Sequence, residues 1–309
     1  MIPYFDAHCD TGLYVHTKGV SLLENNMHVD LRRLSGYAPC AQVFALCAGQ
    51  GEDMVSVTEA ALIALVSELD RWDQAVRLCR SAADISAAAS EGKVAALLSV
   101  EGMDRLDCSL EKLRWAYGLG VRIVHLTWNA DDALCGAALG SGGGLTARGR
   151  EFVKQAQEMG VVLDMSHISE RGFWDVLECA DRQKPVLAGH SDARALCDFP
   201  RNLTDAQFTA LARAGGVAGL NFCTDFLGLT RDLDAIVAHA EHYFALGGEK
   251  AVCLGGDLDG IPELPGGFAR GGVQDLGALY EAFLRKNWSE DAVRDIFWNN
   301  LNDFFGRVL

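Results

Sequence analysis

No apolar run in this 309-residue chain is long enough to span a bilayer, so membrane insertion is not expected. No basic stretch followed by an apolar core precedes the first strand-like run, and the protein is therefore read as cytoplasmic. Positive charge is short. Against 42 Asp and Glu stand only 27 Lys and Arg, a net charge of −15. That balance argues against nucleic acid as a partner, because phosphates call for a basic footprint. There are ten Cys, yet none are spaced Cys-x-x-Cys. Scattered through apolar runs, they read as reduced, mostly buried thiols rather than a disulfide framework. Proline is scarce, with six residues, and there is no low-complexity tract. Nothing marks a boundary, so residues 1–309 read as one domain.

What is present is alternation. Eight short runs rich in Val, Ile, Leu and Ala read as strands buried on both faces. They are Tyr4–His8, Ala41–Cys47, Val94–Val100, Ile123–Thr127, Val161–Met165, Val186–Ala188, Val217–Phe222 and Val252–Gly256. Helical periodicity fills the intervals at Ser56–Arg80, Leu110–Leu119, Ala147–Met159, Glu170–Ala180, Asp205–Ala214 and Leu233–Leu246. Ser109, Thr146, Ser169 and Thr204 stand where N-caps belong, and Gly120, Gly160 and Gly215 where helices end. Strand and helix alternating eight times predict an α/β fold, a (β/α)8 TIM barrel with its site at the C-terminal ends of the strands. Residues 12–40 are expected to hold an extra loop or short hairpin, and 128–146 a long loop over the barrel top. Of two tail helices, Gln274–Arg285 and Ser289–Phe305, one completes the eighth unit and the other packs outside.

Polar residues gather at the expected strand ends in a pattern no core needs. His8 and Asp10 end the first strand; alternation points them one way and Cys9 the other. Glu101 ends the third, Asp164 and His167 the fifth, His190 the sixth, and Asp257 with Asp259 the eighth. Three imidazoles and several carboxylates on one rim would leave charges stranded without a cation. Two divalent ions sharing a carboxylate would resolve this and support hydrolysis through an acidified water.

The order of these motifs resembles the membrane (renal) dipeptidase family of binuclear zinc metallopeptidases, a branch of the amidohydrolase-like barrels. The resemblance runs from Asp6-Ala7-His8-Cys9-Asp10 through Glu101-Gly102, Leu126-Thr127-Trp128-Asn129, Gly144-Leu145-Thr146 and Asp164-Met165-Ser166-His167. It continues with His190-Ser191, Arg201-Asn202 and Gly256-Asp257-Leu258-Asp259-Gly260, ending in Asn287-Trp288-Ser289-Glu290. It implies a zinc-dependent dipeptidase that tolerates a D-residue at the C-terminal position, with two Zn2+ ions and a homodimer. It further implies that His8 and Asp10 hold one zinc, His167 and His190 the other, that Glu101 bridges them, and that Asp257 shuttles the proton. Arg201 would hold the terminal carboxylate of the substrate, a role that suits a planar guanidinium. The chain departs from the family twice. Trp128 stands where mammalian members have a His that polarises the scissile carbonyl, and Cys223 where a Tyr often helps bind the carboxylate. His125, three residues before Trp128 and within the strand, is not an obvious substitute. Both departures bear on substrate preference, and Trp128 and Cys223 are kept as substrate-binding candidates. Two competing readings remain open: another amidohydrolase acting on N-acyl amino acids, cyclic amides or lactones, and a non-catalytic metal- or ligand-binding barrel.

Other residues are assigned plainer roles. His16 and His28 are read as surface or helix-cap residues. His239 and His242 match no zinc-helix spacing and are read as surface. Asp164 is expected to orient a His or a backbone turn, and Asp259 to be a site residue or a turn former. The glycines at 142–144 lack the Lys-Ser/Thr of a phosphate loop. Trp72, Trp115, Trp174 and Trp298 are expected in the core.

Overall fold

The computed structural model describes residues 1–309 apart from Glu52 and Leu229. Its strands are β1 (Tyr4–Cys9), β2 (Cys40–Leu46), β3 (Val76–Leu78), β4 (Val94–Glu101), β5 (Val121–His125), β6 (Val162–Asp164), β7 (Leu187–Ala188), β8 (Val217–Leu220) and β9 (Val252–Leu254). All pair in parallel, and β2 pairs with β4 while β1 pairs with β9. Eight strands therefore close into a ring, the (β/α)8 barrel expected from the alternation. The remaining strand, β3, lies beside the first half of β4, from Val76 opposite Val94 to Leu78 opposite Ala96; β5 takes over from Leu98 onward.

That ninth strand overturns the expected helix Ser56–Arg80. The helix runs Met54–Arg71, the chain then enters β3, and a further helix spans Ala82–Ser90, capped by Ser81. Val76-Arg77-Leu78 is short enough to suit either state, and an open flank of β4 decides for strand. The expected caps hold: Ser109, Thr146, Ser169 and Thr204 each accept a backbone N–H from the first turn of their helix. Gly160 and Gly215 leave their helices at φ +87° and +79°, a conformation costly for other residues.

Between β1 and β2 there is a helix, Thr11–Thr17, and a single turn, Leu31–Leu34, rather than a hairpin. The segment 128–146 is a long loop, as expected. The Asp131 carboxylate accepts from Ala137 N–H, and Asp132 accepts from Leu134 and Cys135 N–H. Both carboxylates satisfy backbone donors that no ladder would pair.

A core lies between sheet and helices, and a second fills the barrel interior. Phe5, Ala7, Ala95, Leu97, Ile123 and Leu187 belong to the inner set together with Leu301, Phe304 and Phe305 from the tail. The last helix, Asn300–Val308, therefore does not pack outside. It plugs the amino-terminal end of the barrel, where Asn300 Nδ2 donates to the carbonyls of Glu249 and Val252. Trp115 and Trp174 are 37% and 40% exposed, against the expectation of burial. His239, read as surface, is buried: its Nδ1 accepts from Ala193 N–H. His28 ties the early segment to the loop after β9, its N–H donating to Asp259 Oδ1 and its Nδ1 accepting from Asp259 N–H.

Candidate active site

The site is built at the carboxyl ends of the strands. Between Asp6 and Cys9, β1 takes three steps while β2 takes two, from Gln42 to Phe44. This bulge adds a residue on the strand, so His8 turns inward although Ala7 before it already does. Cys9 then faces the outer core, and Asp10 follows His8 over the barrel mouth.

Around His8 the distances are short. Its Nε2 lies 3.6 Å from Asp10 Oδ2, 3.7 Å from Glu101 Oε2 and 3.8 Å from Asp257 Oδ1. The other oxygen of Glu101, Oε1, lies 2.8 Å from His167 Nε2 and 3.3 Å from His190 Nε2, and those two nitrogens are 2.9 Å apart. One carboxylate thus faces two nitrogen sets with its two oxygens. His8, Asp10, Glu101, His167, His190 and Asp257, singled out from sequence, all converge. Arg201 is buried near them, with Nε and Nη2 unpartnered among the described residues.

The electrostatics follow from burial and crowding. Burial works against charge on Glu101, yet His8 and His167 outweigh it and hold the carboxyl well below its usual range. Burial lowers His8 too, but Glu101, Asp10 and Asp257 carry it up to about 10. His167 is pushed down to about 3 by burial and by Arg201, and His190 is held well below its ordinary value by burial and by His8. Asp257 is raised to about 8 by burial, with Asp10 and Glu101 adding to it against the pull of His8. The pocket therefore attracts positive charge on the His8 side and presents neutral imidazoles on the other. Among the described residues, both Nδ1 and Nε2 of His8, Asp10 Oδ1 and His190 Nδ1 lack hydrogen-bond partners despite burial. Buried polar atoms left so are rare, and a nitrogen-and-carboxylate donor set around a common centre fits divalent cations.

Three contributors were not picked out from sequence. His125 ends β5 level with Glu101 and Asp164, its Nε2 3.2 Å from Asp164 Oδ2. Its ring centroid lies 5.4 Å from that of His8, and with His8, Glu101 and His190 it forms a buried group of possible ligands. The strand register carried that signal. Asn221 donates to Asp257 Oδ2 at 3.3 Å, and Asn129 pairs Oδ1 with His167 Nδ1 at 2.9 Å. Asp164 does orient its surroundings, its Oδ1 accepting from Ser166 and Gly189 N–H. Asp259 accepts from Thr11 Oγ1 and His28 N–H, which anchors the early segment. His167 and Asp257 sit at φ +70° and +56°, uncommon for residues other than glycine and frequent at functional sites.

A cavity of about 240 Å³ opens over this cluster, and Tyr14, Trp128, Asn129, Arg201 and Cys223 line it. Both departures from the family pattern thus face the cavity. A larger cavity of about 460 Å³ beside β3, lined by Asp70, Arg77 and Lys93, lies away from these groups, and nothing in it converges as they do.

Comparison with known proteins bears on what the site does. The membrane dipeptidase family (peptidase family M19) matches residues 1–308. An uncharacterised protein of the pqqA 5′ region in Klebsiella pneumoniae is 35% identical over 238 residues, covering 73% of this chain and 86% of its own. An uncharacterised dipeptidase of Schizosaccharomyces pombe is 38% identical over 192 residues, 59% of this chain and 46% of its own length, so the match spans less than half of that protein. A crystallised metallo peptidase from Rhodobacter sphaeroides, liganded with a phosphinate mimic of L-Ala-D-Ala, superposes with a TM-score of 0.89 at 27% identity, over 100% of this chain and 99% of its own. With a fold, a rim of acids and imidazoles and a sequence that all agree with it, the chain belongs to the membrane dipeptidase family of metallopeptidases.

Proposed function

We propose that this metallo-dipeptidase hydrolyses free dipeptides, those with a D-residue at the C-terminal position included, using two zinc ions. The observation that carries the reading is Glu101, with one oxygen toward His8 and the other toward His167 and His190. In this reading His8 and Asp10 would hold one ion and His167 and His190 the other, with Glu101 available to both. Imidazole and carboxylate donors suit zinc. Bound there, such ions supply Lewis acidity and a water acidic enough to attack at neutral pH.

The remaining work falls to the chain itself. Asp257, steadied by Asn221, takes the proton of the attacking water and delivers it to the leaving nitrogen. Arg201 grips the terminal carboxylate through the guanidinium atoms that have no partner among the described residues. The acidic rim of Asp10, Glu101 and Asp257 receives the free ammonium. Holding both ends selects dipeptides, since a longer peptide would leave one charge unpaired. Acceptance of a D-residue is supported by the L-Ala-D-Ala mimic bound to the Rhodobacter relative.

Steady-state assays on L-Ala-D-Ala, L-Ala-L-Ala and N-acetyl-alanine, with elemental analysis of the purified protein, test the reading. Turnover of both dipeptides with two zinc ions per chain is expected. Cleavage of N-acyl compounds without cleavage of dipeptides would overturn it.

A further inference from the structure

Amide hydrolysis builds negative charge on the carbonyl oxygen, and a fixed N–H donor aimed at that oxygen is worth far more than one that must reorient. The cavity has few candidates. Asp10, Glu101 and Asp257 accept rather than donate when ionised, and Arg201 is committed to the terminal carboxylate. The hydroxyl of Tyr14 already donates to the carbonyl of Asp259 at 3.3 Å. Trp128 turns a ring face to the Arg105 guanidinium, 5.0 Å from the centroid, so it serves as a wall.

Asn129 is different. It lines the cavity beside Glu101 and His167, and its Oδ1 lies 2.9 Å from His167 Nδ1. When His167 uses Nε2 as a ligand, Nδ1 carries the hydrogen and donates it to Oδ1. That bond fixes which way the amide faces, and Nδ2 then has no acceptor among the described residues. We propose that Asn129 is a catalytic residue whose Nδ2 donates to the scissile carbonyl oxygen and to the oxyanion it becomes. One amide would thus hold a ligand imidazole with its oxygen and the reacting oxygen with its nitrogen. The carbonyl-polarising task is then carried one position after Trp128. This assignment rests on the dipeptidase reading of the site.

Asn129→Asp keeps an acceptor for His167 and removes the donor; Asn129→Ala removes both. The readouts are kcat and KM for L-Ala-D-Ala, the inhibition constant of its phosphinate mimic, whose tetrahedral phosphorus resembles the transition state, and metal content. N129D is expected to keep wild-type metal content and KM, while kcat and phosphinate affinity each fall about 100-fold or more. N129A is expected to lose metal as well. Assayed in excess zinc, where its sites refill, it is expected to show the same fall without an added negative charge. Wild-type kcat in N129D, or full recovery of N129A in excess zinc, would overturn the donor role and leave Asn129 a support for His167. Loss of phosphinate affinity in Trp128→Phe but not in N129D would overturn it in favour of the indole. A wild-type protein inert toward dipeptides would instead sink the reading beneath the proposal.

Discussion

Replacing Glu101 with Gln keeps the shape of the side chain and removes the charge that faces both nitrogen sets. Glu101 is 2% exposed, and the charge of His8 together with the hydrogen bonds of His167 and His190 offsets its burial. The variant should therefore lose at least one metal per chain and most turnover while keeping the fold, because a neutral amide is easier to bury. Metal analysis alongside circular dichroism checks this, and unchanged metal content would rule out the bridge. Asp257→Asn removes a proton carrier rather than a ligand. Metal content should hold while kcat falls about 100- to 10,000-fold. Retained turnover at neutral pH would count against the shuttle. At this scale much was legible from sequence, because His8, Glu101, His167, His190 and Asp257 each end an apolar run. His125 was legible only in part. Its position in a strand is plain, but its level with Glu101 and Asp164 depends on a register that residue types do not specify.

Elements owe their positions to buried polar ties as well as to apolar faces, and His239 is one such tie. From the helix Leu233–Ala245 its Nδ1 accepts from Ala193 N–H at 3.0 Å, in the loop after β7, while Nε2 faces the carbonyl of Leu227 at 3.4 Å. Burial lowers its pKa to about 4. An unfolded histidine titrates near 6.5, so between these values the unfolded chain binds the extra proton and stability falls as pH falls. Above about 6.5 the contribution is complete; toward 4 it is lost, a change on the order of 3 kcal/mol. Asn in this place offers an acceptor without titrating. Urea unfolding of wild type and His239→Asn at pH 7 and pH 4.5 should show a larger loss of stability for wild type. Equal losses would remove His239 from the account. Two expectations fail here for one cause: local pattern suggests helix through β3 and a surface place for His239, because it does not reveal what an element packs against. Val76–Leu78 becomes a strand since β4 offers it an edge, and His239 is buried since the 191–204 loop folds over it.

Across the whole molecule, stability and chemistry sit at opposite ends of the barrel. The mouth carries the strained residues His167 and Asp257 and buried atoms of His8, Asp10, His190 and Arg201 that lack partners among the described residues, whereas the base is closed by apolar side chains of the last helix. Phe305 is fully buried there, its ring stacked on Phe5 at 5.4 Å between centroids and 24° between planes. The amphipathic tail announced itself in the sequence, but its destination did not, because a helix that plugs a barrel and one that flanks it share the same periodicity. Phe305→Ala leaves a cavity in the inner core and should cost about 3–5 kcal/mol, lowering Tm by roughly 10 °C. Since the base of such barrels serves stability and the top serves function, kcat/KM for dipeptides at 25 °C should stay within about twofold of wild type. Thermal melts and assays on one preparation decide the matter. A variant that melts like wild type but loses turnover would show that the base reaches the site, and the separation of roles along the strands would have to be abandoned.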